Sequence, residues 1–201
     1  MNLYSRMVIV LTSVGLLSGS FLATVGMLTK ERIALNIQQE IEEAIAHVIP
    51  GTVSSEKLYE EKGLTIYGGK DKDGSLVGFG ILASGVGFQD KIALMLGTNT
   101  SLTRTKKLKI IEQKETPGLG AKIEDDDAFL IFWENKDCSD SLSLRKPAAN
   151  TPEELAPMEI NTITGATISS ESVLKIVNSS LERVRELIKE GTFQIGEQDV
   201  N

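Results

Sequence analysis

The chain has 201 residues, with 21 Lys plus Arg against 28 Asp plus Glu and a formal net charge of −7. An acidic balance argues against nucleic acid as a partner, since phosphate binding draws on Lys and Arg, and 41 % apolar residues exclude a wholly disordered chain. One cysteine, Cys138, and one histidine, His47, exclude an intrachain disulfide framework, a cysteine-ligated iron–sulfur cluster held by this chain alone, and a two-histidine metal site.

Met7 to Leu28 carries no charged residue over 22 positions. As a helix it would be about 33 Å long, enough for a hydrocarbon core of roughly 30 Å. The run exceeds a signal-peptide core and leads into a helical pattern rather than a cleavage loop, so it reads as a retained anchor. Its small and hydroxyl residues, Ser13, Gly15, Ser18, Gly19, Ser20, Thr24 and Gly26, suit close packing against other membrane helices. Arg6 on one side and Lys30 and Arg32 on the other leave no charge asymmetry from which to read orientation.

Ile33, Ile37, Ile41, Ala44, Ile45 and Val48 recur every three or four residues and predict a helix that Pro50-Gly51 stops. Its polar side holds Glu31, Gln38, Gln39, Glu42 and Glu43, and His47 in its last turn reads as a structural histidine. Residues 52–62 are polar and read as a short helix or a loop. Leu64 and Ile66, a turn at Gly68–Gly74, then Leu76, Val77, Phe79 and Ile81 predict a hairpin. Lys91–Leu96 and Lys107–Glu112 read as further strands. Ala128–Glu134 is an apolar run holding the single Trp, Leu142 and Leu144 alternate with Ser, and Pro147, Pro152 and Pro157 mark a loop. The clearest helix runs from about Ser169 to Glu190, with Val173, Leu174, Val177, Leu181, Val184, Leu187 and Ile188 on one side. The expectation is an α+β chain: an anchor at 1–29, a juxtamembrane helix at 30–50, a mostly antiparallel domain with flanking helices at 51–192 and a tail at 193–201.

Four segments could carry chemistry. Asn161–Ser170 (NTITGATISS) precedes the last helix, whose N-terminus offers free N–H groups and a partial positive charge suited to phosphate; a Ser/Thr-rich N-cap is the alternative. Lys114–Gly120 (KETPGLG) is a bent segment whose backbone can approach a planar ligand, or an ordinary turn. Ser84–Asp90 (SGVGFQD) begins like a dinucleotide fingerprint but lacks the third glycine and the following helix, so it reads as a turn. Glu124–Asp127 lacks the calcium-loop spacing and reads as a solvated acidic turn. Cys138 lies in a polar stretch with no histidine or basic triad to activate it.

The second and first segments together carry a resemblance. Glu115–Gly120 (ETPGLG) followed by Thr164–Thr167 (TGAT) and a long helix, behind one membrane helix, resembles the covalent FMN-binding domain. That domain is shared by the G subunit of the Rnf electron-transport complex and the C subunit of the sodium-pumping NADH:quinone reductase, and the short length favours the former. The resemblance implies FMN joined by a phosphoester to Thr167, installed by a separate flavin transferase of the ApbE type. It implies Thr164, Gly165, Ala166, Ile168, Ser169 and Ser170 around the attachment point, and Glu115, Thr116, Pro117, Gly118, Leu119 and Gly120 along the flavin. The implied role is a non-autonomous electron carrier in a membrane ion-translocating ferredoxin:NAD oxidoreductase, working with other subunits, with its soluble domain extracytoplasmic. A related flavin electron-transfer system, or a non-redox phosphate-binding or docking module, is the alternative. Thr164 stands where relatives often have Ser, and Asn161 where many have an acidic residue.

Overall fold

The computed structural model describes residues 2–192; the predicted tail at 193–201 lies outside the described residues, as do the side chains of Glu31 and Ala34. Contacts divide the chain into a first unit, Met1–Ile41, and a second that begins at Glu42.

Helix α1 spans Leu3–Val48. In the first unit it is long and apolar enough to cross a membrane. Its hydroxyls are satisfied within the helix: Ser13 donates to the Ile9 carbonyl at 2.7 Å and Thr24 to that of Ser20 at 2.8 Å. Such back-bonding lets polar residues sit where no water can receive them. The predicted apolar stripe does not bury as one face. Ile33 and Ile37 are exposed, whereas Ala44, Ile45 and Val48 are buried together with Ile49. Those last two turns belong to the second unit, and His47 lies exposed beside them.

The second unit is built on an antiparallel sheet in the order β1 (Ser54–Glu61), β2 (Leu64–Lys70), β3 (Leu76–Val86), β4 (Lys91–Thr98) and β5 (Thr105–Glu112). Strand β1 corrects the expectation of a helix or loop at 52–62. It is an edge strand, SSEKLYEE, exposed along most of its length, so it has no apolar alternation to betray it. Charged residues on such an edge also discourage pairing with other chains. The predicted hairpin turn is shorter than expected, because β2 continues through Gly68 and Gly69 to Lys70.

The two faces of this sheet differ. One carries Ile66, Phe79, Ile81, Leu94, Leu96 and Leu108, all buried in the main core. Against them pack Val173, Val177, Leu181, Val184 and Leu187 of helix α2, Thr167–Lys189, the amphipathic spacing read from the sequence. The apolar run at Ala128–Glu134 also joins this core: Leu130–Trp133 is a 310 turn, and Phe129 meets the buried Trp133 edge-on, with ring centroids 5.8 Å apart. The opposite face carries Tyr67, Leu82 and Met95, but a patch of it is glycine. Gly69 pairs with Gly78, and Gly80 with Gly97, across three strands. Onto this glycine floor come Ile45, Val48 and Ile49 from the end of α1, with Ile49 close to Gly69, Gly78 and Gly80.

Strand β6 (Ser143–Arg145), where Leu142 and Leu144 alternate with Ser, and β7 (Glu159–Asn161), just past the proline-marked loop, form a small parallel pair. They bring the chain to the start of α2.

Candidate functional site

Two glycine-bearing turns meet at the N-terminus of α2. In the first, the Thr116 carbonyl accepts the Leu119 N–H at 3.1 Å, with Pro117 and Gly118 between them and Gly118 at φ 75°. Proline followed by a positive-φ glycine is the pattern of a type II turn. In the second, the Ile163 carbonyl accepts the Ala166 N–H at 3.0 Å, and Gly165 lies at φ 84°. The Ser170 hydroxyl clips this turn to the helix: it accepts the Ile163 N–H and donates to the Ala166 carbonyl, each at 3.1 Å. Leu119 reaches across from the first turn toward Gly165.

Between them lies a cleft of about 350 Å³, lined by Glu115, Thr116, Leu119, Gly120, Gly165, Ala166, Thr167, Ile168 and Ser169, and closed on one side by Phe88. That volume falls within the usual range of small-molecule sites. Helix α2 starts here without a side-chain cap, because its N-cap position is Ala166. Its first N–H groups therefore remain available to an anion. This decides against the Ser/Thr N-cap read from the sequence. Thr167, the first helical residue, is half-buried in the cleft wall, and among the described residues its hydroxyl makes no hydrogen bond. Gly120 is a requirement of close packing, since a Cβ there would stand 2.6 Å from Ser169 Oγ and 2.8 Å from Glu115 Oε2.

Glu115 ties three segments together. Its Oε1 accepts the N–H groups of Phe88 and Gln89 at 2.8 and 3.0 Å, and its Oε2 accepts the Ser169 hydroxyl at 2.6 Å. The segment Ser84–Asp90, read as a plain turn, thus supplies a wall of the cleft. A nucleotide-binding glycine pattern gives no weight to Phe88, so nothing in that pattern singles it out. The pointer that could have found it is a lone aromatic, flanked by polar residues and glycine, at a strand end.

The remaining predicted site residues lie outside the lining. Pro117 and Gly118 are exposed at the turn tip, Thr164 is exposed, and Ser170 is buried beneath the turn it clips. Asn161 lies in β7, 3 % exposed. Its Oδ1 accepts the Ala149 N–H at 2.7 Å and its Nδ2 donates to the Ala149 carbonyl at 3.0 Å. The amide is a two-way clamp on the loop before β7. Asn161→Asp would keep the acceptor and set a carboxylate oxygen against a carbonyl. We expect a loss of about 1–3 kcal/mol, read as a Tm lower by roughly 2–4 °C per kcal/mol in the detergent-solubilised chain.

Other candidates carry less. The Cys138 thiol is pushed up to about 11 by burial and so stays protonated. Glu124–Asp127 is exposed, and Asp125 caps the following turn by accepting the Ala128 N–H at 2.9 Å. A larger groove, about 400 Å³, runs between β2, β3 and α2 past Lys62, Gly85, Lys175 and Arg183. It contains no residue of the ETPGLG or TGAT motifs, and its Arg183 is held by Glu61 at 3.1 Å, so the smaller cleft is the better candidate.

Comparison with known proteins covers the region that holds this cleft. Residues 87–182 match the FMN-binding domain, a span that contains every residue lining it. The chain is 23 % identical over 187 residues to the G subunit of the ion-translocating oxidoreductase complex of Methanosarcina acetivorans, covering 90 % of this chain and 94 % of that one. It is 27 % identical over 174 residues to the G subunit of the proton-translocating ferredoxin:NAD(+) oxidoreductase complex of Clostridium ljungdahlii, covering 87 % and 88 %. In fold it is similar to NqrC of Shewanella oneidensis, with a TM-score of 0.53 and 16 % identity over 68 % of this chain and 72 % of that one. It is also similar to the C subunit of the Na(+)-translocating NADH-quinone reductase of Parabacteroides distasonis, with a TM-score of 0.51 and 18 % identity over 68 % and 64 %.

Proposed function

With an FMN-binding domain at residues 87–182 as premise, we propose that this chain is an electron-carrier subunit of a membrane ion-translocating ferredoxin:NAD oxidoreductase complex, holding FMN through a phosphoester to the Thr167 hydroxyl. The observation that carries the attachment point is the unpartnered Thr167 hydroxyl at an uncapped helix start, in the wall of a cleft that both motifs line. The complex is inferred from the names of the two relatives, whose lengths this chain nearly spans.

The residues present fit the group. A phosphodiester on Thr167 retains one negative charge, and the free N–H groups of the first turn of α2 lie beside it. Phe88, Leu119 and Ile168 are 59 %, 51 % and 53 % exposed around the same cleft, an apolar rim that a planar ring would cover. FMN supplies the electron transfer, while the protein supplies attachment, orientation and electrostatics. Among the residues lining the cleft only Glu115 is titratable, so the chain contributes no acid–base pair, as suits a carrier. Attachment falls to a flavin transferase of the ApbE type, and the second unit stands on the extracytoplasmic side.

Made together with such a transferase, the chain should give a flavin-fluorescent band on a denaturing gel. Thr167→Ala should abolish that band completely. A band that persists in Thr167→Ala moves the attachment elsewhere. A colourless wild-type protein without a flavin adduct by intact mass refutes the carrier reading and favours a non-redox module.

A further inference from the structure

The one carboxylate in the wall of the cleft is buried without a counter-charge. Glu115 is 4 % exposed, and among the described residues no Lys or Arg pairs with it. Its neighbour Lys114 is engaged elsewhere, 3.6 Å from Asp90 and 3.9 Å from Glu112. Glu115 instead receives three neutral donors: the N–H groups of Phe88 and Gln89 and the Ser169 hydroxyl. All three partners donate, so both oxygens act as acceptors, the bonding pattern of a carboxylate, and none of the three brings a counter-charge. Acidic side chains are seldom fully buried unless paired, and tying three segments together needs acceptor oxygens rather than a net charge. The charge itself therefore calls for a role, and its only ligand-facing surface is the cleft.

Resting on the FMN reading above, we propose that Glu115 is a fixed negative charge that holds the midpoint potential of the flavin in this cleft low. Each electron delivered to the cleft adds a unit of negative charge there, and the Glu115 carboxylate opposes it. At an effective dielectric of about 20, two charges within about 10 Å shift such an equilibrium by roughly tenfold. Burial protects the effect from screening by salt. The electron comes from a reduced protein partner in the complex, or from dithionite in a titration, and any proton that follows is taken from water.

The test is a reductive titration with dithionite and mediators on the full chain loaded with FMN by its transferase. Glu115→Gln keeps an Oε1 acceptor for the two N–H groups and removes the charge. It should favour reduction by about tenfold, an upward shift of about 59 mV for one electron. Ser169→Ala keeps the charge and removes the hydroxyl that draws off part of it, so its potential should fall. Opposite signs mark an electrostatic role. A cleft that is merely loosened moves both variants the same way or moves neither, and either result overturns the proposal. Should Glu115→Gln fail to fold or to take flavin, Ser169→Ala decides alone: a fall supports the proposal, and no change or a rise overturns it. A wild-type chain that takes no flavin overturns the FMN reading and this inference with it. Loaded flavin whose potential ignores both substitutions overturns this inference only.

Discussion

Replacing Gly97 by alanine should cost the second unit about 3 kcal/mol or more, enough to unfold a marginal domain. Gly97 lies in β4 on the glycine floor, and a Cβ there would collide with the Val48 carbonyl oxygen and stand 2.6 Å from its carbon. Both partners are backbone, so no rotamer change relieves the overlap. The end of α1 would have to lift, uncovering Ala44, Ile45, Val48 and Ile49, which are at most 1 % exposed. The comparison that isolates this mechanism is Gly74→Ala, in the hairpin turn. Gly74 has φ 81° and open space around its Cβ position, so only the backbone conformation is penalised, by about 1 kcal/mol. Thermal unfolding followed by circular dichroism should separate the two widely, and near-equal Tm values would remove the floor from the account of stability.

The second large effect should fall on the cleft rather than the fold. In Gly120→Ala the new methyl would press on Ser169 Oγ and Glu115 Oε2, the two atoms joined by the 2.6 Å hydrogen bond. Side chains can give way where backbone cannot, so the stability loss should stay near about 1–3 kcal/mol. Giving way nevertheless breaks the tie between the Glu115–Gly120 segment and α2. Flavin loading, measured as in-gel fluorescence per protein after timed exposure to the transferase, should fall at least roughly tenfold, because attachment requires Thr167 held within close tolerance of its reacting partner. Normal loading in a folded Gly120→Ala protein would show that the geometry of that tie does not matter.

Much of this architecture was legible because the chain states it in the right period. Helix α2 declared itself through Val173, Val177, Leu181 and Val184, and the pair of motifs marked the cleft that the fold assembles. What stayed hidden had physical reasons. Strand β1 is polar because it is an edge strand exposed along most of its length, with Tyr59 partly buried against the core. The turn Leu130–Trp133, which buries Phe132 and Trp133, has the composition of a strand but lies packed beside β5. The glycines of SGVGFQD were weighed as phosphate binders, whereas Gly87 is bare so that the Glu115 carboxylate can approach: a Cβ there would collide with Oε1. Phe88 acquires its place only through that distant carboxylate, a link across 27 positions that no local pattern encodes. Asn161 looked like a weakened motif residue, and its amide proved to be spent on Ala149.

The burial of Ala44, Ile45, Val48 and Ile49 also dictates where a water-soluble fragment can be cut. A version beginning at Glu42 keeps the short helical lid on the glycine floor and should remain monomeric without detergent. One beginning at Thr52 would bare that floor to water and should aggregate, although every residue of the proposed cofactor cleft would still be present.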